Sequence, residues 1–144
     1  MTQIISTDGF IGETFAENGI ILEFDQFWTG QDLPIDTPLA VRFDITCDPA
    51  DLLPWFSKVD MVILPFDSSA DGRGFSLARQ LRQLGYTGVI RAEGHVLVDQ
   101  FRAAIRVGID QIAISDQQAA RNPEEQWLAV SHREGYQAML FAAE

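Results

Sequence analysis

The sequence predicts an α/β fold: about four β-α units forming a mainly parallel sheet, open or a half-barrel, with a small N-terminal β hairpin. Three observations carry that reading. Short apolar runs recur at "LAVRFD" (39–44), "MVILPF" (61–66), "GVIRA" (88–92) and "IDQIAIS" (109–115); the segments between them have helix-start residues or a helical period; and the chain before residue 39 places β-prone runs around an Asp8-Gly9 turn signal. Strands joined through helices return to the same end of a sheet and so run parallel, with right-handed crossovers laying the helices on its faces. Four units are too few to close an eight-unit barrel from one chain, so a half-barrel would have to pair with a second copy.

Each element has its own signal. "IISTDGFIG" reads as the hairpin and "GIILEFDQFW" as an extra strand beside it, while "TGQDLPIDTP" (29–38), with two prolines, reads as an irregular connection. "DPADLLPWFSKV" (48–59) predicts a helix capped by Asp48 with Pro49 in its first turn. "MVILPF" is apolar throughout, as expected of a strand covered on both faces. The helix from about Phe75 places Leu77, Leu81 and Leu84 on one face with Ala78 beside them, and Arg79, Arg82 and Gln83 on the other; Gly85 stops it. Val96–Val107 predicts a further helix with Leu97, Phe101, Ala104 and Ile105 inward, ended by Gly108, and Asn122-Pro123 starts another at "PEEQWLAV".

Length and charge bound the function. The chain's 144 residues suit a single α/β domain, with residues 1–38 a β-rich extension and 39–144 the β-α layer. A formal net charge of −11 disfavours nucleic acid and acidic membrane surfaces as partners. The single cysteine, Cys47, forms no internal disulfide, and no apolar run approaches the ~18 residues that cross a bilayer, so the expected location is cytoplasmic. Two histidines and one cysteine furnish no Cys/His metal cluster, and no flavin, nicotinamide, haem or cluster motif is recognisable, so neither a metal nor a cofactor is expected.

Ligands of parallel α/β folds bind where loops leave the carboxyl ends of the strands. That edge should gather Asp44, then Asp67, Asp71 and Arg73, then Arg91, Glu93 and His95, then Ser115 and Asp116. The turn Asp71-Gly72-Arg73-Gly74 precedes a helix whose first N–H groups lack carbonyl partners, so an oxyanion could accept from them, from Ser76 and from Arg73; equally, Asp71 or Ser76 could cap the helix while the glycines permit positive φ. Arg91, inside "VIRAEG", must find an acceptor, either a carboxylate of Asp67, Asp71 or Glu93 or a ligand. The anion-binding set is therefore Gly72, Arg73, Gly74, Ser76 and Arg91, and the carboxylates Asp67, Asp71 and Glu93 are the candidates for acid-base work. Arg79, Arg82, Arg102 and Arg106 read as solvated charges or partners of surface carboxylates.

The stretch "DGRGFSLARQLRQLGYTGVIRAEGHVLVDQFRAAIRVGIDQIAI" resembles the signature of the bacterial domain-of-unknown-function 934 family: D-G-R-G-[YF]-S-x-A-R-x-L-R, then G-Y-x-G-x-[LI]-R-A-x-G-x-V-L-x-D-Q, then G-[FI]-D. The matching motif residues are Asp71, Gly72, Arg73, Gly74, Ser76, Arg79, Arg82, Arg91, Gly94, Asp99 and Gln100, whereas His95 stands where the family usually has Asp. Proteins like this are commonly labelled oxidoreductases involved in sulfite reduction. The resemblance thus implies an accessory protein of assimilatory sulfite reduction that binds a small oxyanion or a partner enzyme of that process, as a monomer or a homo-oligomer. The residues leave two alternatives beside it: an enzyme in which Arg73 and Arg91 clamp an anionic metabolite, and a non-catalytic interaction module.

Overall fold

The computed structural model describes residues 2–6, 9–11, 19–25, 37–44, 47–66, 73–94 and 96–129. Asp67, Asp71, Gly72 and His95 lie outside them. Seven strands form one sheet: β1 (Thr2–Ser6), β2 (Gly9–Ile11), β3 (Ile20–Glu23), β4 (Leu39–Arg42), β5 (Met61–Phe66), β6 (Val89–Gly94) and β7 (Gln111–Ser115). Their spatial order is β2-β1-β7-β6-β5-β4-β3. From β3 to β7 every pairing is parallel, while β1 pairs antiparallel with both β2 and β7. The expected α/β layer and the N-terminal hairpin are both present. The expectation that β3 accompanies the hairpin is corrected: it joins the far edge, parallel to β4, so the parallel part of the sheet has one strand more than the four units predicted.

Period-two alternation sorts the strand side chains. Val41, Phe43, Val62, Leu64, Phe66, Ile90, Ala92, Ile112, Ile114 and Ile5 face the main core, where they meet Leu52, Leu77, Ala78, Leu81, Phe101, Ala104 and Trp127. Those last seven come from the 3-10 turn Pro49–Trp55, from α1 (Arg73–Gln83), from α2 (Phe101–Arg106) and from the helical residues 124–129. Consecutive strand order with one hand of crossover places every such connection on the same side, and the described helices accordingly all pack on one face. The opposite face, helix-free among the described residues, carries a second apolar cluster of Ala40, Met61 and Ile63, flanked by Ile21 and Val89.

Three helix expectations change in detail. The segment after Asp48 is a 3-10 helix and not an α-helix: Asp48 caps it through Ala50 N–H at 3.0 Å, but Pro54 inside it has no N–H to donate. The helix expected from Val96 is split into a 3-10 turn, Val98–Gln100, followed by α2. Leu84 and Leu97, expected inward, are 38% and 51% exposed, because Leu84 follows the last residue of α1 and Leu97 precedes the 3-10 turn. A short helix, α3 (Asp116–Arg121), follows β7 directly, capped by Ser115, whose hydroxyl accepts from Gln118 N–H at 3.1 Å. The hairpin is tied down from the far end of the chain: Glu124 Oε2 accepts from Phe10 N–H at 2.9 Å, beside Gly9 at φ 108°.

Candidate functional site

The signature glycines are explained first by packing. A Cβ on Gly74 would lie 2.4 Å from the ring of Phe66, so the first turn of α1 can approach the end of β5 only without a side chain there. Gly94, at φ 125°, would meet the Phe66 carbonyl oxygen at 2.4 Å. Both glycines thus make room for one residue, whose ring also meets Phe75 edge-on at 5.1 Å. Gly74 serves close approach and not positive φ; Arg73 and Ser76 stand exposed in the same turn.

Arg82 is not a solvated charge. Its Nε and Nη2 donate to Gly108 O at 3.1 and 2.8 Å, its Nη1 donates to Tyr86 O and Gly88 O at 2.8 Å each, and its Nη2 also reaches Asp110 Oδ2 at 2.8 Å. Asp110 Oδ2 accepts in turn from Ile90 N–H at 3.0 Å. The local sequence creates this geometry. Gly85 and Gly108 take φ of 101° and 98°, and the next residues, Tyr86 and Ile109, donate back to Leu81 O and Ala104 O, closing both helices with the same C-terminal turn. The carbonyls so exposed at the amino edge of the parallel strands are those the guanidinium collects. Tyr86 adds a hydroxyl bond to Val59 O at 3.0 Å. This part of the signature builds the molecule.

The helix-free face is different. In the strand register Glu23, Arg42, Ile63, Arg91 and Gln111 form one row across β3 to β7, and Glu93 stands one pleat above Arg91 on the same face. Arg91 is 4% exposed, and its Nε donates to Gln111 Oε1 at 3.1 Å. Arg42 Nη1 is bound to Glu23 Oε1 at 2.7 Å, and its Nη2 contacts Glu93 Oε2 at 3.3 Å. Burial works against the Arg42 charge, but the Glu23 hydrogen bond and the two carboxylate charges outweigh it, so its pKa rises above the ordinary value. Arg42 Nε is buried and has no hydrogen-bond partner among the described residues.

Of the expected site residues, Arg91 and Glu93 are therefore brought to one face of β6. Arg73 and Ser76 are not with them, since α1 packs on the other side of the sheet. Ser115 serves as a cap. Cys47 is buried; burial, with the nearby Asp44 charge, pushes its thiol up to about 11, away from thiolate chemistry at neutral pH. No group of three or more His, Cys, Asp and Glu gathers among the described residues, and no helix there is long and apolar enough to cross a membrane. Sequence reasoning missed Arg42, Glu23 and Gln111. Arg42 was legible in "LAVRFD", where Leu39, Val41 and Phe43 alternate with Ala40, Arg42 and Asp44.

The geometry defines a class: a singly wound α/β protein, its described helices on one face and a row of guanidinium, carboxylate and amide groups on the other. A family model described as "Bacterial protein of unknown function (DUF934)" matches residues 40–143, and the chain belongs to that family. The matched span takes in β5 to β7, their crossovers and all of β4 but Leu39, while β1, β2 and β3 precede it. Neither the comparison with curated proteins nor that with solved structures returned a match.

Proposed function

We propose that the protein is an accessory component of assimilatory sulfite reduction that binds a small oxyanion on the helix-free face, with Arg91 as its charged anchor. The observation that carries this reading is a guanidinium 4% exposed in the middle of a parallel sheet, with the neutral amide of Gln111 at its Nε and a second guanidinium, Arg42, two strands away. The five donors of that guanidinium allow partners in the chain and a guest together. The sulfite direction comes from the label carried by proteins with this signature.

Calorimetric titration of the protein with sulfite, sulfate and phosphate, each repeated on Arg91→Met, tests the reading. Saturable binding of sulfite that Arg91→Met abolishes, with an unchanged urea midpoint, is the expected result. Absence of heat with all three anions would overturn it.

A further inference from the structure

Deepening the oxyanion reading on which it rests, we propose that the Nε/Nη2 edge of Arg42 is the receptor for the anion, and that Glu93 is a built-in competitor which the anion displaces. A guanidinium offers two forks, and side-on recognition uses the parallel N–H bonds of Nε and Nη2. In Arg42 the opposite nitrogen, Nη1, is engaged by Glu23 at 2.7 Å, the length of a strong charge-assisted bond. The side-on edge is poorly used: Nη2 meets Glu93 only at 3.3 Å, and Nε is buried with no partner among the described residues. One carboxylate oxygen at one nitrogen leaves half of a bidentate site unmatched.

Small anions with two free oxygens, such as sulfite, sulfate, phosphate or a simple carboxylate, match that edge better than Glu93 does, because both donors are then satisfied in one plane. Glu93 is well placed to give way. Its side chain is 43% exposed, so on release it regains water, and it extends from β6 on the same face as Arg91. Glu23 holds the guanidinium in position throughout. The arrangement explains why two carboxylates attend one arginine: Glu23 orients it, and Glu93 sets the threshold of anion concentration at which the face is occupied.

The test is calorimetric titration of the whole chain with sulfite at pH 8, repeated with sulfate, phosphate and acetate, on four proteins: wild type, Arg42→Lys, Glu93→Gln and Arg91→Met. Lysine keeps the charge but has no fork, so Arg42→Lys should lose at least about tenfold in affinity. Glu93→Gln replaces a charged competitor by a weaker neutral one and should gain about threefold to tenfold. If Arg91→Met abolishes binding while Arg42→Lys leaves it unchanged, the oxyanion reading stands and the Arg42 receptor is overturned. If wild type binds no anion, both fall. Should Arg42→Lys lower the urea midpoint, the Glu93→Gln titration decides alone: a gain supports displacement, and an unchanged or weaker affinity overturns it.

Discussion

Arg82 and Arg42 are the same side chain used in opposite ways. At the amino edge of the sheet, Arg82 spends every donor on the chain itself: three carbonyls and one carboxylate, four of the five contacts at 2.8 Å. On the helix-free face, Arg42 holds one carboxylate closely, another loosely, and leaves a buried N–H with no partner among the described residues. The first arrangement has nothing left to offer a ligand; the second does. An arginine that closes the fold and one that keeps a donor in reserve look alike in sequence, and only donor accounting separates them.

The largest break in this contrast should come from Arg82→Met, which leaves three carbonyls and Asp110 without their donor. At roughly 1 kcal/mol for each of the four acceptors left unpaired, the cost is about 4 kcal/mol in urea denaturation, whereas Arg42→Met, which breaks half-exposed pairs, should cost less than about 1 kcal/mol. Next comes Gly94→Ala, which forces a side chain into a positive-φ position against a backbone oxygen and should cost at least about 2 kcal/mol. Gly85→Ala isolates the conformational part of that effect, since φ is 101° but nothing lies within 4 Å, and should cost only about 1 kcal/mol.

Tyr86→Phe perturbs the surroundings of Arg82 more gently, removing one buried hydroxyl bond to Val59 at about 1 kcal/mol. Alkaline pH acts through the buried thiol and phenol. Cys47, raised to about 11 by burial and by the Asp44 charge, stays protonated in the fold while the unfolded thiol ionises near 9, so stability falls as pH rises between those values. Urea midpoints measured from pH 8 to 11 should decline less steeply in Cys47→Ala. Burial also pushes the Tyr86 phenol above its ordinary value, adding a decline of the same sign above pH 10.

Much of the fold was legible because its signals are local. The apolar runs at 39–44, 61–66, 88–92 and 109–115 mark β4 to β7, and Gly85 and Gly108 mark helix ends by a conformation that other residues resist. The place of β3 was not legible, since nothing in "GIILEFDQFW" says which neighbour its N–H and C=O groups will find, and edge strands are chosen by the whole sheet. The site was half legible for the same reason. Arg91 announced itself as a charge in an apolar strand, but its separation from Arg73 depends on which face each element takes, and that follows from consecutive strand order rather than from motif spacing. For Arg82 the pairing with a surface carboxylate was legible and is met by Asp110, but its three carbonyl partners were not, since composition cannot display them.

Phe66 gives the sheet and its neighbouring helix a common point of alignment. Its ring occupies the space that Gly74 leaves bare, and its carbonyl fills the space beside Gly94, so the rise of α1 over β5 and the end of β6 are both gauged against a single side chain and its own backbone. A smaller residue there would let the helix settle toward the strands. The seating of α1 on the sheet is thereby adjustable in evolution through one codon.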